Sequence, residues 1–153
     1  MLTPDFDPVP ESEMQITAPR GVSIHSSRVK YEKPSSFSEP PNVDNATELL
    51  IGLNPSVILF AFTSSSYIFG FERDEQLRER LEKQTKGIPV ILTCKAALEG
   101  FRFFNASKIV LIHPPWFSDE VNSKGKTYFE SQGFEVVSCN KITPSRNSLR
   151  LRQ

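Results

Sequence analysis

Four short, nearly unbroken apolar runs at 57–62, 88–92, 108–112 and 134–138, separated by charged stretches, constrain this sequence more than any other feature. Strands this uniformly apolar belong in a parallel sheet covered on both faces, since a sheet wetted on one side would alternate. Between the runs, 74–86 reads as a charged helix whose Leu77 and Leu81 face inward and which Gly87 closes. The stretch 95–104 reads as a helix with Ala97, Phe101 and Phe104 on one face, and 118–132 as another. This alternation predicts an α/β fold with right-handed crossovers: a mostly parallel sheet with helices on both faces.

The first part of the chain is patterned differently. Pro4, Pro8, Pro10 and Pro19 punctuate its opening, where fixed φ and a missing donor argue against regular structure. Pro34, Pro40, Pro41 and several serines mark a loop. The expected organisation is therefore an irregular Pro/Ser-rich segment at 1–42 with one strand near 21–31, a β-α-β core at 43–140, and a tail at 141–153. The core should open with a short helix capped by Asp44 or Asn45 and carrying Leu49, Leu50 and Leu53.

Composition narrows the partners. Lys plus Arg and Asp plus Glu number 18 each, so no net field favours nucleic acid or an anionic membrane surface. A small molecule or a protein is expected instead. The run at 57–62 is far too short to cross a bilayer and the N-terminal residues form no signal-like region, so no membrane association and a cytoplasmic location are expected. Cys94 and Cys139 stand far apart without metal-ligand spacing, which predicts reduced thiols and no metal. No glycine-rich phosphate loop follows any run, so nucleotide cofactors are not expected.

In an open parallel sheet the ligand site lies outside the carboxyl ends of the strands, which points to 4–10, 25–28, 63–67, 93–94 and 113–117. Thr63, Ser64, Ser65, Ser66 and Tyr67 follow directly on an apolar run, where hydroxyls and backbone N–H groups can converge on a carboxylate. The same residues would also serve as an ordinary strand-to-helix turn with a serine cap.

Several of these segments resemble one family. Leu59-Phe60-Ala61-Phe62-Thr63-Ser64-Ser65-Ser66 followed by Gly70 resembles a strand ending in Cys-Thr-Ser-x-Ser, and the segment from Pro4 to Glu13 resembles a Pro-Ser-Ser-Asn-Thr-x-x-Glu-x-Glu loop. His25-Ser26-Ser27-Arg28 is similar to His-Ser-Ser-Arg, and Pro115 to Asn122 resembles Pro-Tyr-x-Asp-Glu-x-Asn with one residue inserted. These motifs, in this order, are those of the aspartate/glutamate racemase superfamily, in the branch of maleate cis-trans isomerase and arylmalonate decarboxylase.

The resemblance implies one lobe, with the start of a second, of a two-lobed fold whose site lies between the lobes and uses neither metal nor organic cofactor. It implies a small carboxylate or dicarboxylate substrate, with Thr63, Ser64, Asp7, Arg28 and Trp116 as binding residues; His25 also matches a family position. The family works with two cysteines facing across the substrate, because a thiol titrates near neutrality and is readily activated. Phe62 stands at the first cysteine position, where arylmalonate decarboxylases have glycine, and Asp7 replaces the family asparagine. The family's second-lobe cysteine has no counterpart here, and Cys94 and Cys139 match neither catalytic position, which leaves the catalytic group unassigned. The expectation is a truncated isomerase- or decarboxylase-like protein impaired in catalysis; the alternative is a non-catalytic carboxylate-binding pseudoenzyme or interaction module. Apolar surface that a second lobe would cover predicts a homo-oligomer.

Overall fold

The computed structural model describes residues 1–142, the side chains of residues 34 and 35 excepted. The elements run β1 (Leu2–Pro4), α1 (Val9–Thr17), β2 (Ser27–Val29), a 3₁₀ turn (Pro34–Phe37), α2 (Asn42–Ile51), β3 (Ile58–Phe60), α3 (Thr63–Phe69), α4 (Phe71–Gln84), β4 (Val90–Leu92), α5 (Thr93–Phe103), β5 (Lys108–His113), α6 (Asp119–Glu130) and β6 (Glu135–Lys141). The first four strands form a parallel sheet in the order β2-β1-β3-β4, and β5 pairs in parallel with β6 in a separate ladder. The α/β class and parallel pairing follow the sequence reading, with β3 and β4 adjacent and β5 opening a second sheet.

Residues 1–42 are more regular than their prolines suggest. Leu2, Thr3 and Pro4 are buried as a central strand, and α1, β2 and the 3₁₀ turn follow within the segment expected to be irregular. The physical reason lies in where the prolines fall. Pro8 occupies the N-cap of α1 and Pro10 its first turn, where backbone N–H groups have no partner to lose. The described part of the expected tail, residues 141 and 142, includes the last residue of β6; the remainder lies outside the described residues.

Two cores result. Leu2, Val29, Phe37, Ile58, Phe60, Leu81 and Leu92 join the first sheet to α2 and α4. Tyr67, Cys94, Leu98, Leu111, Tyr128 and Phe129 join α3 and α5 to the β5–β6 ladder and α6. Leu77 and Leu81 are buried as expected, and Gly87 adopts φ +100° just after α4, a conformation that suits glycine. The helix faces differ elsewhere. In α2 the buried stripe is Val43, Ala46, Thr47 and Leu50, while Leu49 and Leu53 are exposed, and no side chain caps the helix: Pro41 takes the N-cap that Asp44 or Asn45 was expected to fill. In α5 Cys94 and Leu98 are buried, Ala97 and Phe101 pack beside them, and Phe104, just past the last turn, is exposed.

Candidate functional site

Strands β1, β3 and β5 end toward a cavity of about 1050 Å³. Thr63 and Ser64 line it from the first turn of α3, directly beyond β3, and Thr93 lines it from the first residue of α5, directly beyond β4. The Thr63–Tyr67 stretch is thus helix rather than free turn. Phe62 holds the N-cap position in extended conformation and no side chain caps α3, so these hydroxyls are not used for capping. The Thr93 hydroxyl donates to the Phe60 carbonyl at 3.0 Å, which leaves its lone pairs as acceptors.

Asp7, Thr63, Ser64 and Trp116 all line this one cavity, with Trp116 at the exposed rim. Arg28 and His25 do not line it. The Arg28 guanidinium donates to the Asp7 carbonyl at 2.6 Å and pairs with the Glu11 carboxylate, so it fastens the loop between β1 and α1. One Asp7 carboxylate oxygen accepts the Val9 backbone N–H at 3.1 Å, holding the same loop from within. Phe62 is half-buried and backed by Phe37, with ring centroids 4.3 Å apart, and its ring forms part of the wall. Thr93 and Phe6 fall within the segments expected at the strand ends, whereas Tyr31 and the inner side of α1 beyond Pro10 lie outside them.

Neither thiol lines the cavity. Cys94 is buried beneath α3, 3.9 Å from the Thr63 carbonyl, and burial pushes its pKa up to about 12. Cys139 lies against α6, where it donates to the Asn122 carbonyl at 3.4 Å, and burial raises its pKa too. Among the described residues no lysine, arginine or histidine lines the cavity, and its carboxylates are Asp7 and Glu13.

Behind the rim, His113 accepts from the Tyr67 hydroxyl at Nε2 (3.2 Å) and donates from Nδ1 to the Asn122 side-chain amide oxygen, so both ring nitrogens are engaged. Its ring lies 5.4 Å from that of Phe117, so this buried chain supports the loop that carries Trp116 and Phe117. Nearby, buried Asp74 accepts from the Tyr128 hydroxyl at 2.8 Å. Burial raises its carboxyl pKa, against the hydrogen bond from Tyr128. A raised folded-state pKa means the native state holds this proton more tightly than the unfolded chain, so Asp74 favours folding increasingly as pH falls through the folded value. Asp74→Asn should therefore gain on wild type above that pKa and lose the advantage toward pH about 4, the range of the unfolded carboxyl. Urea unfolding of both proteins across pH measures the difference; a constant gap would show that Asp74 titrates alike in both states.

No protein-family model matches the chain, and no curated protein matches it in sequence. Solved structures do match. Maleate cis-trans isomerase of Nocardia farcinica, with a covalently bound succinylcysteine intermediate, is 20% identical with a TM-score of 0.81 over 97% of this chain and 64% of that one. A variant of the maleate isomerase Iso of Pseudomonas putida S16, with maleate, is 20% identical at a TM-score of 0.79 over 95% and 63%. Unliganded arylmalonate decarboxylase is 18% identical at 0.67 over 82% and 53%. The chain spans less than two thirds of the length of these proteins. It shares the fold of that part of them, so the resemblance read from the motifs holds at the level of fold.

Proposed function

We propose that this protein binds a carboxylic acid at the hydroxyl-lined end of the cavity and does not turn it over as an isolated chain. The observation that carries this reading is the pairing of the Thr63 and Ser64 hydroxyls at the end of β3 with a cavity that holds no thiol. Hydroxyl donors suit a carboxylate, whose hydrogen bonds are charge-assisted. Proton transfer at carbon or attack on an alkene needs an ionisable group of suitable pKa in reach, and Phe62 supplies none. The succinylcysteine of the Nocardia enzyme is an intermediate on a cysteine. The reading here is of an isomerase- or decarboxylase-like scaffold for small carboxylic acids, without metal or organic cofactor, retained for binding.

The test is calorimetric titration of maleate and phenylmalonate into wild type and Thr63→Ala, with turnover assayed separately. Thr63→Ala should weaken binding about tenfold or more, since a hydrogen bond to a charged group contributes roughly 1.5–3 kcal/mol. Phe62→Cys should remain inactive, because two-thiol chemistry needs a partner on the opposite face of the substrate. Turnover by wild type that Cys94→Ala abolishes would overturn the non-catalytic reading, and binding indifferent to Thr63→Ala would remove the site.

Two further features belong to this reading. Among the described residues no helix is long and apolar enough to cross a membrane, and the proposed location is the cytoplasm. The outward side of the β5–β6 ladder exposes Val110, Ile112 and Val137, a patch that favours self-association. Light scattering should report a homo-oligomer; a monomer persisting to high concentration would count against it.

A further inference from the structure

Resting on the carboxylate reading, we propose that the ligand is a monocarboxylic acid with a long apolar body, its carboxylate at Thr63 and Ser64 and its chain running beneath α1. Three observations carry this. The cavity is an open cleft of about 1050 Å³, with room for a ligand body well beyond that of a four-carbon diacid. Its walls are chiefly apolar, formed by Phe6, Leu59, Phe62, Ile68, Phe117 and Val121. With no lysine, arginine or histidine among the described lining residues, with the Met1 ammonium donating to the His25 carbonyl, and with Asp7 and Glu13 present, a second ligand carboxylate would lack a side-chain cation and lie beside like charges.

Helix α1 bears on the same point. It has nine residues and buries none of them, and helices this short are marginal alone in water. Its Val9, Pro10 and Met14 nevertheless face the cavity, while Arg28 fastens it to β2 through Glu11. An apolar chain in the cavity gives this face its missing cover. Ligand binding should therefore order α1 as well as fill the site.

The experiment is calorimetry with butanoate, hexanoate, octanoate and decanoate, with suberate and octan-1-ol as matched controls, and hydrogen exchange of α1 with and without octanoate. Affinity should rise about fourfold for each methylene buried. Octanoate should bind at least tenfold more tightly than suberate and should slow exchange in residues 9–17. Ala96 is exposed on α5 and lines the cavity, so Ala96→Trp should keep the wild-type melting temperature and weaken decanoate more than butanoate. Affinity independent of chain length, with Thr63→Ala still weakening butanoate, would overturn this proposal and leave the carboxylate reading standing. Octan-1-ol binding as tightly as octanoate, with Thr63→Ala without effect, would overturn the carboxylate reading and the head-group assignment with it.

Discussion

Phe37→Ala should lower the unfolding free energy by about 4 kcal/mol, in the range for a phenyl ring removed from a close-packed core. Phe37 is fully buried and packs on Phe60 and Phe62 at centroid distances of 5.0 and 4.3 Å. The turn that delivers it is held by the Ser36 hydroxyl, which accepts from the backbone of Glu32 and Lys33 at 3.1 Å each and donates to the Lys33 carbonyl at 2.8 Å. A rigid anchor of this kind has little freedom to collapse into the vacated space. The loss should appear as a fall in melting temperature of about 10 °C, given roughly 2–4 °C per kcal/mol for a chain of this size. Phe104→Ala is the control: Phe104 is 78% exposed, and its loss should stay within about 0.5 kcal/mol. Phe62 leans on Phe37, so ligand affinity should fall together with stability. Equal losses for the two variants would show that Phe37 is not a core residue.

That anchor lies in a segment whose composition reads as loop, which locates the limit of what the sequence reveals. Strands β3 to β6 are legible because burial demands apolar runs, and those runs survive any error in register. Strand β1 is three residues long, and its buried Thr3 and Pro4 carry no strand signature at all. Helix α2 departs from the leucine pattern for a different reason. Leu49 and Leu53 lie where tertiary packing leaves them exposed, while Val43, Ala46 and Thr47 join Leu50 in the core. At the site, the motif resemblance pointed to Asp7, Thr63, Ser64 and Trp116, and the fold brings all four to one cavity. Arg28 illustrates what type alone leaves out: a guanidinium suits a carboxylate ligand or a carboxylate side chain equally well, and here Glu11 and the Asp7 carbonyl occupy it. The apolar walls could not be read either, because they come from α1, α3, α5 and the loop after β5, whose meeting is a property of the fold.

Gly125→Val should destabilise the protein by about 3 kcal/mol, through overpacking at the closest approach of α6 to α3. A Cβ at Gly125 would lie 2.6 and 2.8 Å from the Tyr67 ring and 3.0 Å from His113 Cε1. Tyr67 has little room to yield. It is buried, bonded to His113 and enclosed by the rings of Phe117, Tyr128 and Phe129 at 6.1 to 6.3 Å. Gly125→Ala separates packing from backbone preference, since alanine should gain about 1 kcal/mol of helix propensity while meeting the same ring. Its net loss should be the smaller, near 1 kcal/mol, with the two branched methyl groups of valine accounting for the rest. If the ring is the obstacle, Tyr67→Ala should absorb the added side chain, and the double variant should show a favourable coupling of 1 kcal/mol or more in urea unfolding. The same displacement would pass through His113 to Phe117 and alter the cavity rim, so Gly125→Ala should weaken ligand binding even where the protein remains folded. Additive losses in the double-mutant cycle would place the strain elsewhere and detach α6 packing from the site.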